Sequence, residues 1–529
     1  MSAHLVVAPL VLPVLAAGLM LLLDERRRSL KAALGFVSIV AQGLVALTLL
    51  GAATDPATPA AVYRVGDWAA PFGITLVADR LGAAMLLLTS VLALCATLFS
   101  VPRWQRAGVH FHTLVQLLLL GLNGAFLTGD LFNLFVFFEV MLAASYGLVL
   151  HSPGIVRVRA GLKYVAFNLT ASLLFLIGVS IIYAVTGTLN MADLALRIPQ
   201  VGAGDRALLE AGAAILGTAF LAKAGMWPTG FWLPTTYSAA AAPVAAMLAI
   251  MSKVGVYAVV RLSLLFFGDG SGESAGFGGA WLLAGGMVTL AFGAIGILAS
   301  QDLGRLAGYA VLASSGTVLA ALGAGYTATT SGALYYLVSS TLAVSAFFLL
   351  IELVERGRVA GADMLAVTRE AFREGDAHDD EDDYTGAGPA LPGTIALLGI
   401  AFIACVLILS GLPPLSGFVA KFVLLTAVLN AGGGSVPFAA WLLVALLILA
   451  GLMTLIATTR AGIRLFWSIP KREIPSVRAL EGVPVAVLLA LCGALTAGAG
   501  PVMEYFDAAA DSLHAPYGYV ERVLEQDAP

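Results

Sequence analysis

Apolar windows long enough to cross a bilayer recur along almost the whole chain, near residues 5–23, 32–51, 81–101, 111–128, 131–150, 164–186, 207–227, 244–267, 280–299, 306–325, 332–354, 395–429, 438–460 and 484–500. A helix rising 1.5 Å per residue needs about 20 apolar residues to cross a hydrocarbon core about 30 Å thick. Only helices and closed barrels satisfy their own backbone polar groups there, and windows of this length belong to helices. The expected fold is therefore an all-α polytopic membrane protein of about fourteen spans. The composition agrees: 60% of the 529 residues are hydrophobic and 11% charged, with a mean hydropathy of +0.95, a balance no soluble globular class has. No basic face for nucleic acid is present. The first window, Leu5 to Leu23, is followed rather than preceded by its basic cluster Arg26, Arg27 and Arg28, so it reads as a retained span and not a cleaved leader.

Lysines and arginines sort strongly by loop. With the loop after the first window inside, the inner set is Arg26, Arg27, Arg28, Lys31, Arg103, Arg106, Arg157, Arg159, Lys163, Arg305, Arg356, Arg358, Arg369, Arg373, Arg460, Arg464, Lys471, Arg472 and Arg478. The outer set is Arg64, Arg80, Arg197, Arg206, Arg261 and Arg522, Arg261 being counted by its nearness to the outer end of its span. Short cytoplasmic loops carry the excess, so both termini are expected to face outward, and a missed span would have scrambled the alternation.

Three lysines are left over, and with one acid they are the candidate functional groups. Glu139 sits close to mid-depth in the run Leu131 to Leu150, where a charge is disfavoured by roughly 2.5–3.5 kcal/mol even on insertion scales. A carboxylate there is paired, protonated or wetted. Lys223 lies about one turn before Pro228, which stops its helix, and Lys253 sits near the middle of Val244 to Phe267. Lys421 belongs to Ile395 to Leu429, which as one helix would be about 52 Å long and which contains Gly411, Pro413 and Pro414, so the helix is expected to break within the membrane. Freed backbone groups at a break must be buried in protein or face water. Two interrupted spans, five apart and each with a lysine, are the pattern of inverted-repeat transporters. The expected organisation is spans 1–3 over 1–110, a first repeat of spans 4–8 over 111–267, an inverted second repeat of spans 9–13 over 268–465 with an acidic cytoplasmic loop at 355–390, and a final span with a tail over 466–529.

Other features carry less. Cys95, Cys405 and Cys492 lie in apolar runs without metal or haem spacing. Asp302 and Arg305 have the spacing of a local ion pair at a helix start. The run His378 to Asp383 reads as a solvated loop. No nucleophile–base pair, P-loop, dinucleotide fingerprint or metal cluster has the required spacing, so no cofactor is expected and neither bond-breaking catalysis nor ATP-driven transport is indicated. Burial disfavours the charged form of either an acid or an amine and an opposite charge restores it, so a Glu139–Lys223 pair that forms and separates could take up and release protons, coupled through water to Lys253 and Lys421. Buried charges that only fix helix packing are the alternative.

At these residues the chain resembles the antiporter-like subunits shared by Mrp- and Pha-type multisubunit cation/proton antiporters and the membrane arm of respiratory complex I. The resemblance is carried by Asn123 to Asp130 leading into the Glu139 helix, by Phe231-Trp232-Leu233-Pro234, by Ser252 to Tyr257, and by Gly411 to Phe418 followed by Lys421. It is most specific for the antiporter's D component and covers the third span through the thirteenth. It implies a bacterial inner-membrane subunit, working with A, C and small membrane subunits, in which Glu139, Lys223, Lys253 and Lys421 form a proton route. Sodium or potassium would be exported in exchange for protons, for pH and salt homeostasis. The chain departs from the pattern where many relatives have histidines or a lysine, with Ser238, Ser339 and Val344 in those places. Its eleventh span has no acid, lysine or histidine in its interior, so hydroxyls of Ser339, Ser340 and Thr341 with water are expected to bridge there. Thr235-Thr236-Tyr237 and the acidic loop resemble the potassium-efflux branch. A proton-pumping subunit of a complex I-like or hydrogenase assembly, and a non-transporting scaffold, are the rival readings.

Overall fold

In a computed structural model, residues 4–55, 60–152, 154–356, 393–430, 436–466 and 477–525 are described. The acidic loop over 355–390 falls almost entirely outside them. Among the described residues the chain is helical apart from one hairpin, and thirteen helical segments are long and apolar enough to cross a membrane, with shorter apolar helices at Phe111–Leu127 and Ser416–Asn430. Each window of the sequence has its helix.

Helices α1 (His4–Leu21) and α2 (Arg28–Ala52) pack with α4 (Phe111–Leu127). Pro9 and Pro13 stand inside α1. Pro13 has no N–H to offer the carbonyl of Pro9 one turn earlier, and Asn123 Nδ2 takes that carbonyl instead, at 3.0 Å. The same amide donates to Gln42 Oε1 at 2.8 Å, Gln42 donates to Ser38 at 3.0 Å, and Ser38 donates to Gln116 at 2.9 Å. All four side chains are buried, and this row of hydrogen bonds satisfies polar groups that lipid could not.

Between α2 and α3 (Arg80–Ser100) an antiparallel hairpin, β1 (Ala60–Arg64) with β2 (Thr75–Asp79), pairs Ala60 with Asp79 through Arg64 with Thr75. Asp79 caps α3, accepting from Gly82 N at 2.9 Å. The turn from α4 into α5 (Leu131–Val149) is pinned to this hairpin, since Gly129 N donates to Thr75 O at 2.9 Å. Asp130 caps α5 by accepting from Asn133 N at 2.8 Å, so the acid at the start of the Glu139 run serves the helix end.

Then follow α6 (Ile155–Thr186), α7 (Met191–Arg197), α8 (Ala203–Ala224), α9 (Trp232–Ala239) and α10 (Ala242–Phe267). The most apolar window of α10 is wholly buried, and the helix packs on α3, α8, α12 and α13. It is the axis of the molecule. The second half runs α11 (Gly279–Ala299), α12 (Leu303–Gly323), α13 (Thr327–Glu355), α14 (Gly393–Ser410), α15 (Ser416–Asn430), α16 (Phe438–Phe466) and α17 (Ala479–Ala497). Asp302 caps α12 through the backbone N–H of Gly304 and Arg305; the acid meets the backbone of Arg305, and no ion pair between the two side chains occurs among the described residues. A clamp joins α13 to α17, with Arg356 paired to Glu352 and, at 2.8 Å, to the buried Glu481. Two amphipathic helices, α18 (Ala499–His514) and α19 (Tyr517–Leu524), fold back over α13, α10 and the hairpin.

Candidate functional site

The two expected interruptions are present. Helix α8 stops at Ala224, the chain passes Pro228, and α9 begins at Trp232. Its freed groups are met by protein: Trp227 N donates to Thr289 Oγ1 at 2.9 Å and Trp232 Nε1 to Ala222 O at 3.3 Å. Helix α14 stops at Ser410, Gly411 to Leu415 run without helix, and α15 begins at Ser416. Gly411 has φ +78°, and a Cβ there would lie 2.4 Å from Lys421 Cδ, so only glycine gives both this turn and room for the lysine.

Glu139, half-buried on α5, accepts a hydrogen bond from Ser172 Oγ of α6. Lys223, 5% exposed at the end of α8, has its Nζ 5.1 Å from the centre of the Phe138 ring. Among the described residues no ion pair joins Glu139 to Lys223 and no hydrogen-bond acceptor meets Lys223 Nζ, yet the carboxylate lies within electrostatic reach of the amine. The pair is therefore apart. Gly255 lets α10 come against α8 here, since a Cβ on it would be 2.7 Å from Phe220 O and 2.8 Å from Ala224 N.

Lys253, 2% exposed on α10, donates to Ser314 Oγ at 2.9 Å and Ser315 Oγ at 3.1 Å on α12. Ser314 in turn bonds Ser340 Oγ of α13 at 2.7 Å. Beyond them a cavity of about 30 Å³ is lined by Ser314, Thr317, Tyr336, Ser339, Ser340, Thr454 and Lys421, room for about two waters. Ser339 donates to Ser416 at 2.8 Å at the start of α15. Lys421 Nζ closes the far side, donating to Ser410 O at 2.8 Å. That carbonyl is free because α14 ends there.

The structure thus places Ser339, Ser340 and Lys421 on one cavity and links Lys253 to it through Ser314. Thr341 is not part of its lining, donating instead to Leu337 O of its own helix at 2.6 Å. Pro228, Pro413 and Pro414 lie at the interruptions without polar contact to the amines, and Gly411 contributes the turn. Sequence does not single out Ser172, Ser314 and Ser315: serines are common in spans, and only the packing of α6 on α5 and of α12 on α10 gives these three their partners.

One further buried charge, counted with the outer loops by sequence, belongs to the interior. Arg261, 7% exposed and two turns above Lys253, makes a bidentate pair with Asp79, Nη2 to Oδ1 at 2.7 Å. Burial acts to raise the Asp79 carboxyl, and the Arg261 guanidinium outweighs it, holding the group below the usual carboxylate range.

Residues 128–454 match the family described as NADH:quinone oxidoreductase/Mrp antiporter, transmembrane. A Rhizobium meliloti protein, named as the probable D component of a K(+)/H(+) antiporter, is 55% identical over 98% of this chain and 97% of its own length. An Alkalihalophilus pseudofirmus protein, named as the D component of a Na(+)/H(+) antiporter, is 33% identical over 99% of this chain and 100% of its own. Among solved structures, a chain of the Mrp complex from a Dietzia species superposes with a TM-score of 0.84 at 25% identity, covering 99% of this chain and 100% of that one. A chain of Thermus thermophilus respiratory complex I shares the fold with a TM-score of 0.74 at 23% identity, over 99% and 100%.

Proposed function

The chain belongs to the NADH:quinone oxidoreductase/Mrp antiporter family of multi-pass membrane subunits, on the branch of the antiporters' D component, and from that premise we propose that it is the proton-translocating subunit of a monovalent cation/proton antiporter. It works within a multisubunit complex of A-, C- and small membrane subunits in a bacterial inner membrane, with both termini outside. Potassium is the exported cation we favour, because the relative of 55% identity is named for potassium.

The observation that carries the reading is the continuous polar line from Lys253 through Ser314 and Ser340 to the cavity at Lys421. A row of hydroxyls from one buried amine to a small chamber lined by the other can pass a proton by way of hydroxyls and water, without an acid, lysine or histidine in the interior of α13. On the other side of α10, Glu139 and Lys223 form the switching pair. At contact distance and an effective dielectric near 20 their attraction is worth about 4 kcal/mol, so contact holds a proton on the amine and separation lets it go. The separated arrangement, with Ser172 holding the carboxylate, is the releasing one. The two interrupted spans then mark corresponding places in two inverted five-span repeats.

Replacing Glu139 or Lys223 by Ala is expected to abolish cation-dependent proton exchange in membrane vesicles while the complex still assembles. Full exchange by either variant refutes the proposal. A subunit of a redox pump shares the fold, and copurification with redox subunits, or transport that needs an electron donor, would transfer the chain to that class.

A further inference from the structure

The polar line described above starts at Lys253, in the middle of the buried helix α10, and nothing in it reaches either face of the membrane. On the same helix, Tyr257 and Arg261 follow Lys253 at successive four-residue steps, which stack on one face and carry the line about 12 Å toward the hairpin end. Tyr257 Oη accepts from Arg261 Nη2 at 3.2 Å and donates to Phe126 O at 2.8 Å. Arg261 is held by Asp79 and also stacks on the rings of Tyr257 and Tyr519, at 5.5 and 5.4 Å. The pair is not packed on all sides. It opens into a cavity of about 50 Å³ whose wall includes Asp79, Arg261, Ser512 and Tyr519. The roof of that cavity is the junction of the C-terminal helices α18 and α19, from Ser512 to Tyr519.

A buried ion pair that only clamps helices has no need of an adjoining space or a hydroxyl on its inner side. The hairpin end is also the face that the lysine and arginine distribution places outside. Resting on the proposed proton function, we infer that the Asp79–Arg261 pair is the outer gate of the proton route, with Asp79 the group that passes protons from the cavity to Tyr257 and Lys253. With the pair closed, the fixed guanidinium repels an incoming hydronium. When Arg261 swings into the cavity, the Asp79 carboxylate takes one proton from water there. That proton moves to the Tyr257 oxygen as the Tyr257 hydroxyl turns from Phe126 O and gives its own to the neutral Lys253 amine. Asp79 is again a carboxylate, Lys253 is an ammonium, and Arg261 returns.

The test uses the assembled complex in vesicles and the paired variant Asp79→Asn/Arg261→Gln, which removes both charges and keeps polar side chains of similar size. Cation-dependent proton exchange should fall about tenfold or more, on the scale of losing a positioned proton donor, while Asp79→Glu, which keeps a carboxyl, retains exchange with a shifted pH profile. Wild-type exchange by the paired variant overturns the gate and leaves a clamp. Because the Glu139 and Lys223 variants report on the route itself, their loss of exchange alongside an active paired variant would remove the gate alone. Should the paired variant not assemble, Ser512→Cys decides. A membrane-impermeant maleimide should label it from the outer face only and cut exchange about tenfold. Labelling from the inner face, or full exchange after complete labelling, overturns the inference.

Discussion

At the scale of single residues, Glu139, Lys253 and Lys421 are held by hydroxyls and carbonyls rather than by counter-charges. Lys253 depends on Ser314 and Ser315, and a hydrogen bond to a charged group is worth about 1.5–3 kcal/mol. Ser314→Ala removes the bond to Lys253 and the link to Ser340 together, so exchange should slow by about tenfold or more, whereas Ser315→Ala, which leaves that link intact, should slow it less. Comparing the two rates in vesicles checks the order. The charged members are legible in the sequence because a lysine or glutamate at mid-membrane depth is costly and therefore conspicuous. Their hydroxyl partners are not, since a serine in a span costs little and acquires meaning only through the helix packed against it. Arg261 reads as a loop charge for a related reason. Its distance along the helix puts it near a membrane surface, but the hairpin and the C-terminal helices cover that end, and Asp79 supplies its charge partner.

At the scale of elements, the two interruptions are what let amines and polar backbone share the interior. Proline and glycine make both breaks readable, down to Gly411 and the prolines after it, because a regular helix cannot continue through them. The use of each break stays hidden in the sequence: the one after α8 is closed by Thr289 and Ala222, while the one after α14 leaves the Ser410 carbonyl for Lys421. Gly411→Ala places a methyl where the Lys421 side chain lies and puts a non-glycine residue at φ +78°, a strain of about 1 kcal/mol or more. The variant should assemble and exchange slowly, and Lys421→Ala in the same background should add little further loss. Additive losses in that double-mutant comparison would show that the glycine acts elsewhere.

At the scale of the whole molecule, the hairpin, α3, α10 and the C-terminal helices are locked at one end by the Asp79–Arg261 pair. The carboxyl lies below its ordinary value near 4 in the fold. Its contribution to stability is therefore complete above about pH 4 and is lost as the pH falls through the lowered native value, where the unfolded chain already binds the proton. The thermal midpoint of the solubilised complex should decline on the acid side of that range, and Asp79→Asn/Arg261→Gln should lack this component. Asp79→Asn alone strands a buried guanidinium and should cost about 3–5 kcal/mol, read as a lower midpoint already at neutral pH. Fourteen windows, their order and their multi-pass character are legible from hydropathy alone. The covering of one end by α18 and α19 is not, because amphipathic helices of that length look the same whether they roof a neighbour or lie on lipid.

The amide row in the first four helices bears on how the chain is made. Helix α4 carries His112, Gln116 and Asn123 among its apolar residues, a poor cargo for a lipid environment on its own. The acceptors for Gln116 and Asn123, including the Pro9 carbonyl that Pro13 leaves unclaimed, sit in segments the ribosome releases earlier. Synthesis order thus delivers a prepared berth before the needy helix emerges, and a chain shorn of its first hairpin of helices would present the translocon with a fourth segment that has nowhere to put its amides.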